Sequence, residues 1–172
     1  MPYTPFHLGP SLALGVSVKR IINIPAFLLG SILLDLEPFF IFYFRLDRPL
    51  HGFFHTLPGG ILTSAAISLP LLFARRPVGK LLALLKLEQP QTFPFIMLGA
   101  FLGTTFHIFV DSIFHADLMP FYPLAYNPFY KLLTSNQVHT VCLASFILAG
   151  VIYGIRLAIE KNKKNNLKAT RS

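Results

Sequence analysis

Residues 107–115 read HIFVDSIFH, so that His107, Asp111 and His115 recur at every fourth position inside a long apolar run. If this run is helical, the three side chains lie on one narrow stripe, because a helix turns about 100° per residue and positions i and i+4 are neighbours. Ionisable groups are costly to bury in a membrane-length apolar segment, and they mark a functional site there. The stretch therefore predicts a membrane helix that carries metal-ligating side chains on one face.

Histidine and acidic residues also occur in or beside other apolar parts of the chain: they are His7, Asp35, Glu37, His51 and His55. The two histidines of HGFFH repeat the four-residue spacing. Imidazole and carboxylate groups together form a ligand set for zinc or a related divalent ion. Because Cys142 is the only cysteine, a cysteine-rich zinc site is excluded. We therefore predict that these residues and the 107–115 stripe converge on one metal site with nitrogen and oxygen ligands.

The composition is typical of a membrane protein. Of the 172 residues, 53% are hydrophobic and only 13% are charged, whereas soluble domains carry roughly 25% charged residues. The net charge of +8 is concentrated in short packets between apolar runs. This pattern agrees with the excess of basic residues in cytoplasmic loops of membrane proteins. The expected partner is therefore the lipid bilayer, and no nucleic acid is expected.

Four apolar segments are long enough for a transmembrane helix, which needs about 20 residues: residues 24–44, 57–74, 95–115 and 138–159. Residues 11–18 predict a short N-terminal half-helix, and the leucines and basic residues of 75–88 predict an interfacial helix on the membrane surface. The expected fold is an all-α, polytopic membrane helical bundle that forms a single domain over residues 1–160. A basic, disordered cytoplasmic tail is expected over residues 161–172.

Two of these interpretations have alternatives. Pro38 follows Asp35 and Glu37 and would bend or break a helix, so the alternative there is a loop between two short helices with both carboxylates in solvent. His7 lies in a proline-containing segment, and the alternative there is a peripheral arm with a solvated imidazole. His139 begins the last span and is interpreted as an interfacial residue rather than a ligand.

The basic packets also predict an orientation in the membrane. Residues 19–20, residues 75–86 and the C-terminal tail would be cytoplasmic, which places both termini inside. Residues 45–55 and 116–137 would then lie on the outer side, and the metal site would open toward the extracytoplasmic space. The N-terminus lacks the pattern of a cleavable signal peptide, so we expect an integral protein of the inner or plasma membrane.

Four motifs occur along the chain in the order MPYTPFHLGP, SILLDLEP, HGFFHTL and HIFVDSIFH. In this order they resemble the membrane-bound metal-dependent hydrolase family, the LexA-associated inner-membrane hydrolases. The resemblance extends from residue 2 to about residue 129. That family is distantly similar to zinc-dependent phospholipase C and related single-strand nucleases, which are all-helical enzymes with a multi-zinc cluster. The resemblance implies a hydrolase whose cofactor is a divalent metal, most readily zinc.

By this resemblance, the ligands of one ion would be Asp35, His55, His107 and Asp111. His7 would share a second ion with a bridging Asp111, and His51 would complete the cluster. Glu37 and His115 are the candidates for the catalytic acid or base. His51 and His115 are also candidates for ligands of the second ion or for residues that orient the other ligands.

Zinc-dependent phospholipase C also has a downstream His-x3-Glu, whereas only His139 lies downstream here and no matching glutamate follows it. One or two ions are therefore expected. The expected function is a membrane-embedded hydrolase that uses a metal-activated water on a phosphoester such as a phospholipid. Two alternatives are a protein that binds or transports divalent ions and a non-catalytic membrane scaffold with a structural metal.

Overall fold

The computed structural model describes residues 4–169, which are 70% helical and contain no strand. A short 3-10 turn, Phe53–His55, precedes the fourth of seven α-helices. These helices are α1 (Thr4–Ser17), α2 (Ile24–Leu33), α3 (Leu36–Tyr43), α4 (Leu57–Phe73), α5 (Arg75–Leu84), α6 (Phe93–Ser112) and α7 (Ser135–Ala169). The all-helical class predicted from the sequence is confirmed.

Three helical segments are long and apolar enough to cross a membrane: Ile24–Tyr43, which combines α2 and α3, Phe93–Ser112 and Ser135–Leu167. The predicted span at residues 57–74 corresponds to α4, which has 17 residues. The chain bends by 80° between α4 and α5, and a fourth span is counted only if this bent pair is one span. The bend turns the basic helix α5 away from the direction of α4, as expected for a helix on a membrane surface.

Helix α1 begins earlier than the predicted half-helix and therefore includes His7, whose side chain is only 1% exposed. A peripheral arm with a solvated His7 is thus wrong. Gly9 lets α1 approach α7 closely, because a Cβ atom there would overlap the carbonyl oxygen of Cys142. Helix α1 packs against α7 and α2, and the His7 side chain faces His107 and Asp111 of α6.

Helix α7 continues through residues 161–169, where the sequence predicted a disordered tail. These residues include Lys, Leu and Ala, which are good helix formers and can extend a helix that is already nucleated. Residues 170–172 of the predicted tail lie outside the described part of the chain.

Helices α2 and α6 form the tightest backbone contact of the bundle, and small residues make it possible. A Cβ atom at Gly99 would lie 2.8 Å from the carbonyl oxygen of Asn23, and one at Gly103 would overlap that of Phe27. The GxxxG spacing of α6 therefore serves close helix packing. Helix α4 packs on another side of α6, where the hydroxyl oxygens of Ser64 and Thr104 are 3.0 Å apart.

Gly103→Ala should destabilise the bundle by about 1–3 kcal/mol, because the added methyl group cannot fit without separating α2 from α6. The matched control is Gly150→Ala, since a Cβ atom at Gly150 meets nothing within 4 Å. The control should be neutral or slightly stabilising. Thermal unfolding of the two variants in detergent measures the difference, and equal midpoints would contradict the tight α2–α6 contact.

Candidate metal centre

Helix α6 places His107 and Asp111 one turn apart, with side chains that are 0% and 3% exposed. The Nε2 atom of His107 lies 3.2 Å from Oδ2 of Asp111. On the other side of the ring, the Nδ1–H group of His107 donates a 2.8 Å hydrogen bond to the carbonyl oxygen of Ser31 in α2. This bond fixes the tautomer, so the lone pair of Nε2 points toward Asp111.

Asp35 reaches the same place from the break between α2 and α3. Its Oδ1 atom lies 3.6 Å from His107 Nε2, and its side chain is 16% exposed. The helix does break before Pro38, as one interpretation predicted. The carboxylates of Asp35 and Glu37 are nevertheless largely buried, with side-chain exposures of 16% and 15%. A solvated loop at this position is therefore wrong.

His55 enters from the 3-10 turn before α4 and is fully buried. Its Nδ1–H group donates a 2.8 Å hydrogen bond to Oε2 of Glu37. Burial lowers the pKa of His55, and the hydrogen bond with Glu37 only partly opposes this effect. The imidazole is therefore neutral at neutral pH, and its Nε2 atom carries a lone pair that is free to coordinate a metal ion.

These residues form one group, which we call the primary cluster: Asp35, His55, His107 and Asp111. Each offers one ligand atom, and these atoms all lie within 4.8 Å of one another. His7 adjoins the primary cluster, because its Nε2 atom lies 3.2 Å from Oδ1 of Asp111. The two oxygens of Asp111 thus face different imidazoles, which is the arrangement of a carboxylate that bridges two ions.

The ligand atoms of this group are buried without a hydrogen-bond partner: they are His7 Nε2, Asp35 Oδ2, His55 Nε2, His107 Nε2 and Asp111 Oδ1. The Nε2 atoms of His7 and His107 lie 3.2 Å from the Asp111 oxygens, within ion-pair distance but without the geometry of a hydrogen bond. An unsatisfied buried polar atom costs about 1–3 kcal/mol. Several such atoms around one point fit a divalent cation, which would satisfy all of them at once.

A second group, which we call the secondary cluster, consists of His51, His115 and Asp117, whose ligand atoms also lie within 4.8 Å of one another. The Nδ1–H group of His51 donates to Oδ2 of Asp117 at 3.1 Å. The ring centroids of His51 and His115 are 3.9 Å apart, and those of His51 and His55 are 5.0 Å apart. The secondary cluster therefore adjoins the primary cluster through the HGFFH turn.

The side chains of the secondary cluster are suited to binding a cation. Burial and the nearby His51 lower the pKa of His115 to about 4, so its imidazole is neutral at neutral pH. Burial, the largest single effect, would raise the pKa of Asp117, but the hydrogen bond from His51, the charge of His51 and backbone hydrogen bonds together outweigh it and lower the pKa. The side chain of Asp117 is 45% exposed, which opens this end of the site.

The loop between α6 and α7 holds the secondary cluster in place. The Nδ2–H groups of Asn127 donate to the carbonyl oxygens of Ser112 and His115, at 2.9 and 3.0 Å. Leu118 is 1% exposed and packs with Leu34 and Ile108. The loop is therefore ordered against the end of α6, which gives His115 a defined position.

The sequence-based candidates thus divide into three sets. The primary cluster with His7 contains five of the six predicted metal ligands, and His51 and His115 meet in the secondary cluster. Glu37, a predicted acid or base, lies behind His55 instead of facing the cluster. Asp117 was not predicted as a ligand, although it follows His115 by only two residues, in the sequence HAD, and this proximity could have indicated it. His139 lies apart, with Nδ1 bonded to the carbonyl oxygen of Ser135.

No protein-family model matches the chain, and comparisons with curated proteins and with solved structures found no match.

Asp111→Ala should abolish metal binding, because both oxygens of this carboxylate face ligand nitrogens. Metal content of the detergent-purified protein, measured by mass spectrometry after zinc loading and desalting, checks this. Asp111→Asn preserves the shape of the side chain and should also lose most of the metal. His139→Ala removes a histidine outside both clusters and should keep the wild-type content, whereas full occupancy in both Asp111 variants would contradict the assignment.

Glu37→Gln should weaken metal affinity roughly 10- to 100-fold without changing the number of ions bound at saturation, because Glu37 orients His55 and does not itself face the cluster. Titration with zinc against a competing chelator measures the affinity. Glu88→Gln removes an exposed carboxylate elsewhere and serves as the control. An unchanged affinity in Glu37→Gln would show that the hydrogen bond to His55 plays no part in metal binding.

Proposed function

We propose that this protein is a membrane-embedded, metal-dependent hydrolase that binds one or two zinc-like ions and acts on a phosphoester. The observation that carries the proposal is the convergence of buried, unpaired imidazole and carboxylate atoms at the primary cluster. Mixed nitrogen and oxygen ligands are typical of hydrolytic zinc sites. The resemblance of the four sequence motifs to the membrane-bound metal-dependent hydrolases points to the same class of reaction.

The secondary cluster, unlike the four-ligand primary cluster, favours catalysis over a purely structural metal. Structural zinc sites are closed by four protein ligands, whereas catalytic sites keep a position open. The secondary cluster offers only three protein ligands, and one of them, Asp117, is partly exposed. Two adjoining sites can hold the attacking and leaving oxygens of a phosphoester displacement.

Each residue of the chain has a distinct role in this proposal. When bound, a zinc-like ion lowers the pKa of a coordinated water toward 7. His107 and His55 turn their Nε2 atoms toward the cluster because Ser31 and Glu37 hold their Nδ1–H groups. His115 stacks on His51, which adjoins His55 of the primary cluster, and its neutral imidazole is the candidate to accept a proton from the attacking water.

The basic packets support a location in the membrane with both termini in the cytoplasm. In that orientation the 3-10 turn and the loop between α6 and α7 lie on the extracytoplasmic side. Both clusters would then face the outer half of the bilayer, where they can meet the headgroup of a lipid.

Zinc-loaded protein should hydrolyse a soluble phosphodiester such as bis(p-nitrophenyl) phosphate, and chelation followed by zinc addition should remove and restore the activity. Asp111→Ala should fall to background, whereas His139→Ala should retain the wild-type rate. Absorbance of the released nitrophenolate measures the reaction. A protein that binds zinc fully, hydrolyses no phosphoester and moves zinc across the membrane of proteoliposomes would instead be a transporter.

A further inference from the structure

A large apolar cavity lies between the broken helix α2–α3 and helix α4, with a volume of about 1030 Å³. We call it the lateral groove. Its lining is almost entirely hydrophobic and includes Leu29, Leu33, Ile41, Leu62, Ala66 and Leu71. Along α4 it extends from Leu62 to Ala74, a distance of about 18 Å at 1.5 Å per residue. None of the residues of the primary or secondary cluster lines the lateral groove.

The lateral groove opens on the outer surface of the bundle. Phe40 and Leu62 line the groove, and they are 49% and 57% exposed. Both belong to apolar helices, and α2 and α3 together are long enough to cross a membrane. A groove that opens sideways from such helices meets acyl chains rather than water.

One end of the lateral groove reaches the metal centre. Glu37 forms part of the groove wall, and its Oε2 atom accepts the hydrogen bond from His55. A Cβ atom at Gly52, another lining residue, would lie only 2.5 Å from Glu37 Oε1, so the chain is tightly packed there. A molecule that occupies this end of the groove therefore contacts Glu37, which is hydrogen-bonded to the candidate metal ligand His55.

The same end of the lateral groove carries a positive charge. Arg48 lines the groove and is exposed, in the connection between α3 and the 3-10 turn. A guanidinium group binds phosphate through paired hydrogen bonds. A long apolar groove with an arginine at its polar end matches an amphiphile that has an acyl chain and a phosphate headgroup.

We propose that the lateral groove binds one acyl chain of a membrane phospholipid and places its phosphate headgroup between Arg48 and the metal centre. This inference rests on the proposed function for the chemistry that follows binding, since it names the substrate class of the same centre. The length is suitable, because one leaflet occupies about half of the roughly 30 Å hydrocarbon core. The lipid would enter sideways from the bilayer.

Photolabelling tests lipid binding without requiring any hydrolysis. Metal-depleted protein is placed in vesicles of phosphatidylethanolamine and phosphatidylglycerol that contain a trace of phosphatidylglycerol with a diazirine in one acyl chain. Bulk lipid should label all exposed faces, including Ile147 on α7, which is 72% exposed. Labelling of the groove segment of α4 should be severalfold higher than labelling at Ile147, and equal labelling would overturn the proposal.

Variants at and near the lateral groove show where the lipid binds. Ala66→Phe fills the lateral groove and should reduce its labelling to the level at Ile147, whereas Leu69→Phe, one turn further along and outside the groove lining, should not. Ala66→Leu is a milder variant that serves if the phenylalanine disturbs folding. Arg48→Gln should lower the labelling, and Arg45→Gln is the charge-matched control. Unchanged labelling in both Ala66 variants would refute the groove as the lipid site.

Hydrolysis assays distinguish the role of the lateral groove from that of the metal centre. In the metal-loaded protein, Ala66→Phe should lower the rate on a long-chain phospholipid severalfold more than the rate on a soluble phosphodiester. If groove labelling is as expected but neither substrate is hydrolysed, the proposed function fails and lipid binding stands. If Ala66→Phe converts a dimer into a monomer in detergent without changing lipid labelling, a second copy of the chain occupies the groove and the lipid proposal is wrong.

Discussion

A buried carboxylate whose oxygens face only imidazole rings governs the arrangement of this bundle. Asp111 is 3% exposed, and His7 and His107 each approach one of its oxygens at 3.2 Å. Burying an ionised carboxylate costs a large free energy unless the charge is balanced. Helix α1 brings His7 and α6 brings His107 to this carboxylate, whereas Asp35, at the break after α2, adds a second negative charge that a cation would have to balance. A cation shared by these groups turns an unfavourable burial into a stabilising one.

The break between α2 and α3 also shapes the metal centre, because it places Asp35 and Glu37. A continuous helix would send residues 35 and 37 to nearly opposite faces, whereas their partners His107 and His55 are neighbours with ring centroids 5.4 Å apart. The break allows Asp35 to face α6 while Glu37 faces the 3-10 turn and receives the Nδ1–H group of His55. Two acidic residues that are close in sequence thereby act on different histidines.

The parts of the site that depend on local geometry could be predicted from the sequence. Helical periodicity placed His107 and Asp111 on one stripe, and the apolar composition predicted the long helices. The direction of Glu37 could not be predicted, because Pro38 breaks the periodicity on which such an inference depends. Asp117 lies in a loop, where spacing does not determine position, and the hydrogen bond from Asn127 helps to fix its neighbour His115. The end of α7 was ambiguous, because lysine-rich segments occur both in helices and in disordered tails.

The glycine contact between α2 and α6 has a consequence for the size of the cation that the primary cluster could hold. Ser31 in α2 and His107 in α6 are joined by a hydrogen bond, and close to that bond the two backbones touch without intervening side chains. A cage with walls of this kind cannot widen by rotating a side chain. Calcium requires oxygen distances of about 2.3–2.6 Å and six to eight ligands, whereas zinc binds four ligands at about 2.0–2.2 Å. If a cation binds at the primary cluster, the fixed distance between the two helices would favour a small ion over a large one.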